Sequence, residues 1–491
     1  MKNVLFHALP SGRASLSLVL TALLAGCAAG PDYQTRPLLA DNALPQPAST
    51  ASGSASSSAF GAAQAWRADI DLEAPWWQQL GSPRLDALID QALQASPTLV
   101  AAQAQLRQAE ELQGAQERAT QLPRADLGVG SARQHSSPSA QGLPGDGRTF
   151  SLHSASVSVQ YQLDVSGGNR RALQALAART DYRRYQLAGA RLDLAARIAS
   201  TAITQARIAA QAEALEAIAR NQAAQTGIAQ ERLRLGQAMP ADVQALQAAL
   251  EQTRASALLL RKQAQQSAHL LAVLAGRAPG AEPLPAFSLE DFTLPAELPQ
   301  VLPSELVRQR PDIQAAEALV RVASAEHGVA VARMYPQIRL SANLGSQALT
   351  TGALFGGGSA VWGLIAQLTQ PLFDPALPAQ QRAALAGLDA AAAQYQGVVL
   401  DALRSVADAL RATEADAQVL ATLERADTAA QASLQTTQQQ LALGASSHLQ
   451  WLVAQQQALQ LRSSLVAAQA QRLADSAALF QAVGAGVATA S

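Results

Sequence analysis

The chain has one cysteine among its 491 residues, Cys27, set in "LLAGCAAG" at residues 23–30. A lone thiol cannot close a disulfide within the chain, so disulfides contribute nothing to its stability. The chemistry that suits both its position near the start and its solitude is acylation of the sulfur. The other reactive side chains lack such a setting. His7, His135, His153, His269, His327 and His448 are scattered, and no pair has metal-ligand spacing. No nucleophile motif, phosphate-binding loop or dinucleotide fingerprint is present. "GALFGGGS" is glycine-rich, but it precedes a strand pattern where a phosphate cradle requires a helix. The expectation is a protein that is not an enzyme and carries no metal and no cofactor beyond a covalent lipid on Cys27.

The segment before Cys27 supports that chemistry. Lys2 and Arg13 precede "ASLSLVLTALLAG", an apolar run too short to span a membrane comfortably and ending in small residues. This is the pattern of a secretory signal peptide, residues 1–26. Leu24-Ala25-Gly26-Cys27 also resembles a bacterial lipobox, in which the thiol receives diacylglycerol and becomes the mature N-terminus. An ordinary signal with an incidental cysteine is the plainer alternative. Stable anchoring takes more than one acyl chain, which the lipobox resemblance implies. Ala28, in place of the Asp that commonly retains such lipoproteins in the inner membrane, favours the outer one.

The net charge of −1 leaves no electrostatic footprint for nucleic acid. Aromatics are 4% and apolar residues 49%, much of that alanine, which favours long helices packed closely around small side chains. Nothing after Cys27 approaches the roughly 20-residue apolar span of a membrane helix. A wholly periplasmic lipoprotein and one that crosses the outer membrane as a barrel both remain open.

The chain is written twice. "SPTLVAAQAQLRQAEELQGAQERATQLPRADLGVG" from Ser96 and "RPDIQAAEALVRVASAEHGVAVARMYPQIRLSANLG" from Arg310 share a proline at the second position, an Ala/Gln-rich helix, a second proline and then alternation. Further alternating runs end at Asp164 and Asp374, and a long helical pattern broken by one glycine turn follows each. The expected organisation is an acylated tether over 27–74, a first repeat over 75–276, a Pro-rich connector over 277–303, a second repeat over 304–486 and a tail over 487–491. The tether is read as flexible or draped through about residue 65, with order beginning near "APWWQQLGSPRL".

Four segments alternate as strands do, near 123–133, 151–164, 337–346 and 360–370. Val157, Val159, Tyr161 and Leu163 face one way; Ser158, Gln160, Gln162 and Asp164 face the other. Each run is close to the length a tilted strand needs to cross a bilayer. A soluble pair of hairpins with one wet face fits the alternation alone. In a membrane, four strands cannot close a barrel, and lipid cannot satisfy open edges, so copies would have to share one.

Helical hairpins are expected over 167–275 and 377–484. Leu173, Thr180, Leu187, Leu194, Thr201, Ile208 and Leu215 fall on one seven-residue register. Leu385, Ala392, Val399, Val406, Thr413 and Leu420 fall on another, continued by Leu434 and Leu441 with Asp427 intruding. A helix of some 65 residues would extend roughly 100 Å. Gly236 and Gly444 suit helix C-termini, and Pro240 with Asp242 suits a helix start. The fold class is therefore mainly α with a membrane β-barrel: long antiparallel coiled-coil hairpins plus four strands per protomer, built by tandem duplication.

The whole pattern resembles the TolC family of outer-membrane channels, in its lipoprotein efflux branch, often called the NodT or OprM type. "LPSELVRQRPDIQAAEALVRVASAEHGVAVARMYPQIRLSANLG" carries the most specific likeness, with "PWW", "LLAVLAGRAPG" and "LFQAVGAG" in support. The resemblance implies a homotrimer whose barrel continues as a helical tunnel into the periplasm. It also implies a periplasmic adaptor (membrane fusion) protein and an inner-membrane transporter of resistance–nodulation–division type as partners. The duct would pass small toxic compounds outward and sit in the outer membrane, lipid-anchored through Cys27. The adaptor would meet the turns at Gly236, Gln237, Ala238, Met239, Pro240 and Asp242, and at Gly444, Ala445, Ser446, Ser447 and His448. The alternatives are the duct of a type I protein secretion system and a purely structural coiled-coil lipoprotein.

The chain departs from the family pattern in places. "DVSGGNRR" stands for a "DLFG-x-R"-type sequence and "LFDPALPAQQR" for "LFDGGR", both at strand-to-helix junctions. "GASS" and "LVAQ" stand for "GVDS" and "LDAQ" at the second turn, leaving Asp242 as the candidate constriction residue. A weaker acidic constriction and less cation preference are expected.

Overall fold

The computed structural model describes residues 60–137, 142, 144, 146–281, 284, 286–300, 306 and 309–486. The signal peptide, Cys27, the first part of the tether and the tail at 487–491 lie outside the described residues. In chain order the elements are β1 (Ala65–Arg67), α1 (Pro83–Ala95), α2 (Pro97–Gln121), β2 (Arg124–Ser136) and β3 (Arg148–Leu163). Then come α3 (Gly168–Arg234), α4 (Pro240–Leu274), β4 (Glu297–Pro299), α5 (Pro311–Ala332) and β5 (Gln337–Ala348). β6 (Ala360–Thr369), α6 (Ala376–Ala442) and α7 (His448–Val483) complete the chain. Four helices open on proline, whose missing N–H costs nothing in a first turn.

The chain divides into two compact units. The first takes its described residues from Arg107–Tyr182 and Glu317–Gln394. It holds a four-stranded antiparallel sheet in the order β2-β3-β5-β6. Segments of α2, α3, α5 and α6 accompany the sheet. Here Arg179 pairs with Glu326, and Arg321 meets Asp181 at 3.3 Å.

The second unit takes its described residues from 60–106, Arg183–Ala316 and 395–486. Its core centres on Trp76, Leu85, Ile89, Ile198, Ile203 and Phe480, each nearly solvent-free, with Trp76 stacked on Phe480 at 5.9 Å. Alanines fill the spaces between these residues, which lets the helices approach closely. Leu187, Leu194 and Ile208 of the first heptad register are buried, as are Val399, Val406, Thr413 and Leu420 of the second. Thr413 hides its hydroxyl by donating to the Ala409 carbonyl at 2.9 Å. Asp427, the charge in that register, lies 3.9 Å from Arg462 of α7.

Residues 60–67, which composition assigns to the tether, are fastened to this unit. Arg472 of α7 is 1% exposed and donates to the carbonyls of Phe60 at 2.6 Å and Ala62 at 3.0 Å. Gln64 donates to Ser476 Oγ and to the Pro295 carbonyl, and β1 pairs in parallel with β4. Described residues of the connector are held in a related way: Phe287, Phe292 and Leu298 are buried in the core. Beside Arg472, burial pushes the Asp416 carboxyl up to about 7. Its neighbour Asp475 adds to the rise through a side-chain hydrogen bond and repulsion, and Arg472 opposes it.

Candidate functional site: a two-faced sheet and two exposed turns

Successive residues of a strand point to opposite faces, so the register sorts the sheet into two surfaces. Leu127, Val157, Leu344 and Trp362 lie in one row across the four strands; Ala125, Val159, Ala342 and Leu364 lie in the next row of the same face. Leu127, Leu364 and Trp362 are 75%, 75% and 79% exposed, so this apolar face is uncovered among the described residues. The opposite face carries Asp126, Ser158 and Asn343 in one row and Arg124, Gln160 and Ser341 in another. Val361 and Ile365 are apolar exceptions on it. Such a sheet suits lipid on one side and water on the other. β2 and β6 each have one neighbour, which leaves an open backbone edge on both sides of the sheet. Among the described residues no helix is long and apolar enough to cross a membrane.

The two glycine turns share one geometry. Gly236 and Gly444 both have φ +71°, the left-handed region that disfavours any side chain. The N–H of Gly236 donates to the Leu233 carbonyl and that of Gln237 to Arg232, at 2.9 and 2.7 Å. Gly444 to Leu441 and Ala445 to Gln440 repeat the pattern at 3.0 and 2.8 Å. These pairs satisfy the last carbonyls of α3 and α6. At the start of α4, Pro240 holds the first position and the Asp242 carboxylate accepts from the Met239 N–H at 3.2 Å. At the start of α7, Ser447 and Gln450 cap each other reciprocally. His448 lies against Trp451, ring centroids 5.1 Å apart.

Asp242, expected as a constriction residue, is exposed and also caps its own helix. The turns also expose apolar side chains that the sequence did not single out: Leu235 and Leu443 join Met239, with Leu443 84% exposed. Behind the turns, Asn221 and Gln225 of α3 are buried against Leu452, Gln455 and Gln456 of α7. Buried amides carry no periodic signal that would have marked them.

A cavity of about 530 Å³ in the second unit is lined by Asp193, Arg310, Asp312, Asp408 and Asp475 among others. Each of these charges already has an internal partner: Gln481 for Asp193, the Ala482 carbonyl and Asp312 for Arg310, Arg404 for Asp408 and Gln471 for Asp475. Gln481 with Asp193 joins α7 to α3, and Arg310 reaches the end of α7, whereas the Arg404–Asp408 and Gln471–Asp475 pairs each lie within one helix. Among the described residues no group of three metal-ligating side chains is present.

Known proteins share this arrangement. The outer-membrane channel OprN superposes with a TM-score of 0.82 at 25% identity, covering 94% of this chain and 99% of that one. The toluene efflux pump outer membrane protein TtgC of Pseudomonas putida is 28% identical over 484 residues, 96% of this chain and 95% of that protein. Outer membrane protein OprJ of Pseudomonas aeruginosa is 32% identical over 264 residues, 52% of this chain and 54% of that protein. The family model described as "Outer membrane efflux protein" matches residues 88–277 and 302–485. Each matched span falls on one of the two halves and carries one strand pair and one helical hairpin, and the chain accordingly belongs to the outer membrane efflux protein family.

Proposed function

We propose that the chain is the outer-membrane duct of a tripartite efflux system, a homotrimer that passes small toxic compounds and performs no chemistry on them. The observation that carries this reading is the sheet, with one apolar face, one polar face and two open edges. Lipid cannot hydrogen-bond an open edge, so in a bilayer the edges must meet those of other copies. Three copies would close twelve strands around the polar face. The acyl chains on Cys27 hold the N-terminus to the same membrane, and the barrel supplies the main insertion. A periplasmic adaptor docks at the turns around Gly236–Asp242 and Gly444–His448, where Met239 and Leu443 offer apolar contact, and a transporter of resistance–nodulation–division type supplies substrate. The efflux-pump names among the relatives support this reading over protein secretion.

The test is accumulation of a fluorescent dye and a panel of toxic compounds in a deletion strain. The strain is complemented with the wild type or with Met239→Glu/Leu443→Glu. Raised accumulation in the deletion, reversed only by the wild type while both proteins reach the outer membrane in equal amount, is the expected result. Unchanged accumulation together with loss of a secreted protein would replace this reading with type I secretion.

A further inference from the structure

The halves are duplicates, yet among the described residues only one of the two junctions they generate is completed. α3 and α6 each have 67 residues, and aligned end to end they place Arg171 on Ala379, Asp181 on Asp389 and Gly189 on Gly397. Aligned from Pro97 and Pro311, α2 and α5 place Arg107 on Arg321 and Gly114 on Gly328.

Within the chain α3 packs on α5. Arg321 meets Asp181 at 3.3 Å. A Cβ added at Gly328 would come within 2.9 Å of the Arg171 stem, and one at Gly189 would touch Pro311 at 3.8 Å. The duplicate contacts are absent among the described residues. Arg107 and Asp389 are exposed, and neither has a hydrogen-bond or ion-pair partner among the described residues. A Cβ at Gly114 or at Gly397 would meet nothing within 4 Å. Burial tells the same story. Arg171, Ala175, Ala178 and Thr180 are buried at the start of α3, whereas no residue of 376–394 is buried at the start of α6. α2 buries only Leu99, while α5 buries residues along its length.

We infer that the start of α6 packs on α2 of a second copy as α3 packs on α5 within one chain, with Asp389 facing Arg107 of that copy and Gly397 against its Pro97. This rests on the homotrimer proposed above and names the contact that joins neighbours beneath the barrel. The run "AALAGLDAAAA" at 383–393 fits, since small side chains let a helix approach closely, as the glycine contacts do inside the chain. Exposed apolar residues beside this surface, Leu112 and Leu122 on one side and Leu372, Phe373 and Leu385 on the other, would be covered by the same contact.

Two differently tagged full-length chains, one carrying Arg107→Cys and the other Asp389→Cys, are co-expressed and treated with a short bis-maleimide. The two new thiols sit on different chains, so a covalent dimer bearing both tags reports contact between copies. We expect that dimer in a large fraction of the chains, and its loss when either variant is paired with the wild type. An intact oligomer on an unheated gel without the doubly tagged dimer overturns the inference and leaves the homotrimer standing. Absence of any oligomer from the wild type overturns both. A second arm needs no cysteine: Asp389→Arg and Arg107→Asp should each lower the temperature at which the oligomer dissociates, and the combined swap should restore it. Additive losses in the swap would contradict the pairing.

Discussion

Asn221 donates from Nδ2 both to the Leu452 carbonyl at 3.0 Å and to Gln455 Oε1 at 2.7 Å, joining α3 to α7 through a buried amide. Gln225 extends the ladder to Asn221 Oδ1 at 2.7 Å and to Gln456 Oε1 at 3.0 Å. A buried amide between two helices favours one register over its neighbours, because a slip leaves polar groups unpaired. Asn221→Leu strands the partners and should lower stability by about 1–3 kcal/mol. Thermal unfolding followed by circular dichroism measures this. An unchanged midpoint would mean that the ladder contributes no net stability.

Arg472 holds the first described residues of the chain by their backbone carbonyls. Arg472→Met keeps much of the side-chain volume and removes both hydrogen bonds. The expected cost is about 2–4 kcal/mol, with new protease cleavage between Phe60 and Gln64. Full protection of that segment in the variant would show that β1 and Gln64 suffice to hold it.

Asp416 sets a pH dependence. Its carboxyl titrates at about 7 in the fold against an ordinary 3.8. Between those values the folded state retains a proton that the unfolded state has released, so stability falls as pH rises through that window and levels off above about 7. Asp416→Asn should flatten this part of the slope and raise the unfolding temperature at pH 8. A variant that keeps the wild-type slope would assign the dependence to another group.

The sheet makes a paired prediction. Leu344 lies on the apolar face and Asn343, its neighbour in β5, on the polar face. Leu344→Arg should cost about 2–4 kcal/mol at the middle of a bilayer and reduce the amount of assembled protein. Asn343→Arg should leave assembly near wild type and alter ion selectivity. Equal losses from both would mean that the two faces meet similar surroundings.

Periodicity made much of this fold legible. Alternation set the strands, which run Arg124–Ser136, Arg148–Leu163, Gln337–Ala348 and Ala360–Thr369, close to the expected spans. Glycine and proline marked the turns at Gly236, Pro240 and Gly444, because left-handed backbone and a first helical turn each select one residue type. What escaped depends on partners far away in sequence. Phe60, Ala62 and Gln64 lie in a stretch that reads as linker, and they are held by Arg472 and Ser476, more than 400 residues on. Asp416 is one carboxylate among many on a helix until Asp475 stands beside it. Asp242 was legible as a charge near a turn, but its engagement with the Met239 N–H is a matter of local geometry.

The open edges of β2 and β6 have a consequence for how stability itself should be defined. In hydrocarbon each unpaired N–H and C=O along them costs several kcal/mol. A lone copy in a bilayer therefore has no low-energy form of this sheet to occupy. If copies share one barrel, as proposed above, folding, insertion and association become one equilibrium governed by mass action, and its midpoint moves with the number of copies per area of membrane. For such a sheet dilution acts as a denaturant, and a stability quoted without a protein concentration has no fixed meaning.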